Sequence, residues 1–246
     1  SIYLGNDPSS TTSTAEYNLA VGTTALDAIT SGDKNVAIGY NALTANTSGA
    51  QNTALGYLSL QALTTGSSNT ALGSSTLMYN TTGTYNLAVG MNSLNSNTTG
   101  TRNIAIGYDA LGSPDTENDN IAIGYDALGG AIAGGQRNVA IGSYSLDALT
   151  SASSITAVGH NSLSGLTTGT NNSAFGAKSL FATTTGAENI GIGNNAGDVI
   201  TTGDQNVIIG NNCDPSAYNS SNQTVLGSGA VGSANGTVTF GDGGND

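Results

Sequence analysis

"NIAIGYDALG" runs from Asn103 to Gly112, and the same ten residues run again from Asn120 to Gly129, seventeen positions on. The frame Asn-x-Ala-x-Gly pervades the chain: "NLAVG" at Asn18, "NVAIG" at Asn35, "NTALG" at Asn52 and Asn69, "NLAVG" at Asn86, "NVAIG" at Asn138 and "NSAFG" at Asn172. Looser copies follow as "NIGIG" at Asn189 and "NVIIG" at Asn206. The closing glycine stands at 22, 39, 56, 73, 90, 107, 124, 142, 159, 176, 193, 210 and 227, with every interval seventeen except the eighteen between Gly124 and Gly142. Thirteen copies in phase describe a quasi-one-dimensional array in which each unit touches its neighbours and cannot bury its apolar face alone.

Within one repeat the residue before the phase glycine is always bulky (Val21, Ile38, Leu55 through to Leu226), and two before it stands Ala in ten copies. Alternation of this kind predicts a strand with one face in a core, and we assign the bulky column to that core. On this assignment Ile123→Asp costs several kcal/mol by burying an unpaired charge. Four residues after the glycine an unbroken Leu column runs from Leu26 to Leu180, each preceded by a small residue. This predicts a glycine corner, a second short strand and a return turn at the recurrent "TTG". Stacking such units about 4.8 Å apart yields an all-β solenoid of about 14 turns, roughly 65–70 Å long, with the repeated Asn forming a ladder along the axis. The whole of 1–246 then forms a single array: regular repeats over 18–227, an irregular first turn over 1–17 and a shorter, 14-residue final turn within 228–246.

Composition narrows the function. The net charge is −12, from 16 acidic residues against Lys34, Arg102, Arg137 and Lys178. Nucleic acid and anionic membrane surfaces need clustered Lys and Arg, so neither is an expected partner. No apolar run is long enough to insert in a bilayer as a helix. The single Cys213 excludes an intrachain disulfide. Strict phase in the apolar positions argues against a disordered low-complexity segment. No enzymatic activity is expected: His160 is the only imidazole, too little for a triad or, with one Cys, for a zinc site. His160 reads as a surface residue and Cys213 as a packing residue in the small column of Ala25, Ser93 and Ser162.

The repeat resembles that of trimeric autotransporter adhesin heads (YadA-like), whose signature Asn-Ser-Val-Ala-Ile-Gly is closely matched by "NVAIGYNAL" at Asn35 and "NVAIGSYSL" at Asn138. It is also similar to repeats in bacteriophage tail-fibre shafts. The resemblance covers residues 18–227 and implies a left-handed parallel β-roll, association of three chains side by side, and adhesion. The adhesin repeat is usually shorter, which leaves a triangular left-handed helix as the alternative cross-section.

Three surface features are candidate sites. The unbroken Ala stripe, including Ala37, Ala54, Ala71, Ala88, Ala105 and Ala122, permits close backbone approach and is expected at a subunit contact. Tyr40 and Tyr57 share one slot in adjacent turns, as do Tyr108 and Tyr125, and each pair would offer an aromatic platform on which sugars stack. Asp109 and Asp126 are aligned neighbours, and the loop "SPDTENDN" (113–120) adds Asp115, Glu117 and Asp119. A hard cation such as calcium would relieve repulsion among these carboxylates; no other cofactor is expected.

The leading expectation is a non-enzymatic structural or adhesive fibre, extracellular, at a cell surface or on a virion. Its partners are copies of itself, as a homotrimer or filament, and a host-cell surface glycan or protein. Ser1 starts within a repeat and "TVTFGDGGND" ends shortly after one, and we expect both ends to meet more protein, in a longer chain or a stacked filament. The alternatives are an ice-binding or carbohydrate-binding β-solenoid. The threonine rows an ice binder needs are interrupted at "SPDTEN" (113–118), "GAIAGG" (130–135) and "TSASS" (150–154).

Overall fold

A computed structural model describes residues 1–5, 14–114 and 116–241. Among these residues the chain is strand and turn without helix, a β-solenoid with one short strand per turn. The strands are β1 (Ile2–Gly5), β2 (Leu19–Gly22), β3 (Val36–Ile38), β4 (Thr53–Leu55), β5 (Thr70–Leu72), β6 (Leu87–Val89), β7 (Ile104–Ile106), β8 (Ile121–Ile123), β9 (Val139–Ile141), β10 (Thr156–Val158), β11 (Ser173–Phe175), β12 (Ile190–Ile192), β13 (Val207–Ile209), β14 (Thr224–Leu226) and β15 (Val238–Phe240). The chain divides into two compact units, Ser1–Asn120 and Ile121–Asp246. In the first, β1 to β7 pair in parallel, each with its successor. In the second, β8 to β15 do the same.

Register follows the sequence period. Ala37 lies opposite Ala54 and Gly5 opposite Gly22, seventeen residues apart. Leu226 lies opposite Phe240, so the final turn is fourteen. Ile121 lies opposite Val139, eighteen apart, whereas Gln136 bonds Ser153 at the ordinary seventeen. The extra residue is therefore taken up in the turn after Leu128, where Gly134 adopts φ +85°.

The interior is the reverse of the expected one. Ala37, Ala54, Ala71, Ala88, Ala105 and Ala122 have no accessible surface in the single chain. They point into the solenoid and cannot form a subunit contact. The bulky column instead points outward: Ile38, Leu72, Ile106 and Ile123 are half-buried, and Leu55, Ile192 and Ile209 are exposed. The reason is volume. The Leu column (Leu43, Leu60, Leu77, Leu94) fills the interior from the opposite wall and is fully buried, leaving room for only a methyl group on the strand. Where one wall changes, the other compensates. Gly197 takes the place of a column Leu, and a Cβ there would sit 3.5 Å from a γ-carbon of Ile208, the residue that replaces Ala in the facing strand.

The expected second strand is absent among the described residues. The turns that follow Gly22 through Gly176 instead each pass through three non-glycine residues at positive φ, for example Asn92 (58°), Leu94 (52°) and Arg102 (58°). Such residues carry a backbone cost of order 1–3 kcal/mol, offset by bonds to both neighbouring turns. The Asn92 N–H donates back to the Ser74 carbonyl at 3.1 Å, and the Leu94 N–H donates forward to the Ala110 carbonyl at 3.0 Å. The phase glycine is obligatory at the corner. Gly73 has φ +141°, and a Cβ on it would lie 2.7 Å from the Gly90 carbonyl oxygen, so L-residues are excluded on both counts.

The Asn ladder forms as expected. Asn52 Oδ1 accepts the Asn69 N–H at 3.0 Å and its Nδ2–H at 3.1 Å, while Asn69 Nδ2 also donates to the Gly83 carbonyl at 2.9 Å. The same pattern runs through Asn35 to Asn103 in the first unit and Asn172 to Asn206 in the second. A fully bonded polar column inside a narrow core fixes register, because a slip by one residue would leave every amide unpaired.

Candidate functional site

With the alanines enclosed, the outer face of each strand carries what the sheet shows to its surroundings. Two outward columns flank the inward one: Leu19, Val36, Thr53, Thr70, Leu87 and Ile104 on one side, and Val21, Ile38, Leu55, Leu72, Val89 and Ile106 on the other. The second unit continues the pattern with Ile190 and Ile192, Val207 and Ile209, and Val238 and Phe240. Among the described residues no strand contains a charged residue. Leu55 is 45% exposed, Phe175 43% and Ile192 40%, large fractions for side chains already covered on two sides by the adjacent rungs.

Beyond the glycine corner the surface is aromatic and polar. Tyr40 and Tyr57 stack nearly parallel, 5.6 Å between centroids and 13° between planes, and both remain about half exposed. Tyr108 lies in the first unit and Tyr125 in the second, each exposed. Tyr125 packs edge-on against Tyr144 at 5.3 Å, and Tyr144 against His160 at 6.4 Å. The Tyr144–His160 part of this row was missed in the sequence because Tyr144 sits one position later in its repeat. His160 is exposed, as expected, and Cys213 is buried, its Sγ 3.5 Å from the Val225 carbonyl.

The acidic loop is less convergent than its sequence suggests. Asp119 is bound by Arg102 through Nε at 2.6 Å and Nη2 at 3.0 Å. Asp109 belongs to the first unit and Asp126 to the second, and Asp115 lies outside the described residues. Glu117 turns inward and is 4% exposed. Among the described residues no three His, Cys, Asp or Glu side chains are grouped to hold a metal ion.

The threonine hydroxyl that opens the return turn is bonded to the next turn in at least six repeats. Thr47 Oγ1 donates to the Thr64 carbonyl at 3.1 Å, Thr64 to Thr81 and Thr81 to Thr98, both at 3.0 Å. In the second unit Thr150, Thr167 and Thr184 do likewise. Asn80 and Asn97, the heads of two glycosylation-like triplets, are enclosed.

One further cluster lies in the second unit. Asp214 stands in the slot of the column Leu, and its N–H makes the Leu-type backbone bond to Ala230 at 2.9 Å. Its carboxyl is pushed up to about 6 by partial burial and by the neighbouring Asp198 carboxylate. Asp198 is itself raised, mainly by burial, with Lys178 acting in the opposite sense. Burial and the Asp214 charge also raise the Cys213 thiol. A carboxylate at a Leu phase position was a legible signal.

No protein-family model matches this chain, and no curated protein matches it closely enough to count as a relative. Among the described residues no helix is long and apolar enough to cross a membrane.

Proposed function

We propose that this protein is a non-enzymatic fibre module, extracellular or virion-borne, that assembles with copies of itself into a trimeric or end-to-end fibre and serves as a shaft or adhesive surface. One observation carries the reading: each turn lays the same kinds of outward residue at the same place, so the surface is a lattice of repeated contacts. The closing interactions of the repeat, Asn amides and Thr hydroxyls alike, run from turn to turn and serve the stack itself. The sequence resemblance to adhesin heads and phage tail-fibre shafts supports the same class. Light scattering and electron microscopy across a concentration series test it. Trimers or lengthening rods are expected; a monomer at every concentration would overturn it.

A second reading, glycan adhesion, is favoured by the stacked and exposed Tyr40–Tyr57 pair. Sugars stack on such flat aromatic surfaces, and a glycan array with Tyr57→Ala as the comparison decides it. Loss of a glycan signal in the variant is expected, and an array without any signal overturns the reading.

A further inference from the structure

Resting on the self-assembly reading above, we propose that a second copy of this chain docks on the outward face of the parallel sheet, through the two aliphatic columns that flank the buried alanines.

Three features of that face select this occupant. The first is charge. The chain carries −12 overall, yet among the described residues no strand residue is charged; copies approaching through their turns would bring carboxylates together, and copies approaching through the sheet face would not. The second is the exhaustion of the backbone. Strand N–H and C=O groups pair along the axis with the turns before and after, so an extended peptide cannot add to this face by main-chain bonds. Contact has to come from interdigitating side chains, as between packed sheets about 10 Å apart.

The third feature is period. The face repeats at one strand spacing, about 4.8 Å, and a partner that meets every rung alike must repeat at that spacing too. Another copy does so by construction. At about 4.8 Å per strand and about 10 Å of width, the face of the first unit, β1 to β7, offers ~340 Å² and that of the second, β8 to β15, ~380 Å², so each unit by itself supports a modest, concentration-dependent association.

The test is sedimentation equilibrium of the full chain and of paired substitutions. Leu55→Lys with Ile192→Lys places one charge on the face of each unit. Leu55→Thr with Ile192→Thr is the gentler pair, because Thr already occupies this face at Thr53, Thr70 and Thr156. Tyr40→Lys with Phe181→Lys alters exposed turn residues instead. We expect the wild type to associate, the Lys pair on the sheet to weaken association at least tenfold, the Thr pair to weaken it less, and the turn pair to leave it unchanged. Circular dichroism and melting confirm the fold of each, and if the Lys pair unfolds, the Thr pair decides. Association that survives the sheet substitutions but not the turn substitutions overturns this placement and leaves self-assembly standing. A monomeric wild type overturns both.

Discussion

Asn69 shows how much one residue carries in this fold. Its side chain accepts the Asn86 N–H at 3.0 Å and the Asn86 amide at 3.2 Å, and it donates to the Gly83 carbonyl at 2.9 Å, all within the buried core. Asn69→Ala leaves these partners without water to replace the bonds, and we expect a loss of about 2–4 kcal/mol in chemical denaturation. Leu94→Ala empties part of the main apolar column and should cost about 2–5 kcal/mol. Ile123 behaves differently. Its half-buried, outward position makes Ile123→Thr a change of roughly 1 kcal/mol or less in the stability of the isolated chain. A loss as large as that of Leu94→Ala would put Ile123 back inside.

At the scale of the element, the turn around Asp214 has a pH signature. A folded value of about 6 against an ordinary carboxyl of 3.8 means the folded chain holds this proton more tightly than the unfolded one. The stability so gained is complete below about pH 4 and is lost as pH rises through about 6. The facing groups are Asp198, Lys178 and Cys213, and Asp198 shifts in the same direction. Melting temperature measured from pH 4 to 7.5 should fall with pH for the wild type. Asp214→Leu, which restores the column residue, should melt higher at neutral pH and with a flatter profile; an unchanged profile would remove Asp214 as the cause.

The same element shows what the sequence could and could not tell. The period, the corner glycine and the Asn ladder were legible because each demands one residue type at one place. Which side of the strand faces inward was not, because both alternating sets are apolar and hydrophobicity does not separate Ala37 from Ile38. Only the volume already filled by Leu43 and its column decides, and that requires knowing where the second wall lies. Segments such as "GYDALG" alternate like a strand, yet they fold through left-handed residues whose N–H groups point to different turns. Of the candidate sites, the Tyr40–Tyr57 stack was visible from phase alone. The exposed sheet face followed only once the alanines were found inside.

For the whole molecule, association through an uncharged face should respond to salt in a particular way. Apolar contact gains from salting-out anions, and a net charge of −12 repels copies until it is screened. Added sodium sulfate should therefore strengthen self-association, followed as sedimentation coefficient against salt. Weakening with salt would point instead to ion pairs between subunits.

The left-handed turns and the Asn ladder also have a mechanical meaning. Every bond that holds one turn to the next lies along the solenoid axis, so a pull applied at the chain ends loads the turns in series. Under tension such a stack should yield one coil at a time. Each detached coil of seventeen residues would pay out about 55–60 Å of extended chain in exchange for a single rung of roughly 4.8 Å. In a force spectrometer this is a long train of small, evenly spaced releases, the behaviour of an extensible tether that absorbs a jerk without breaking.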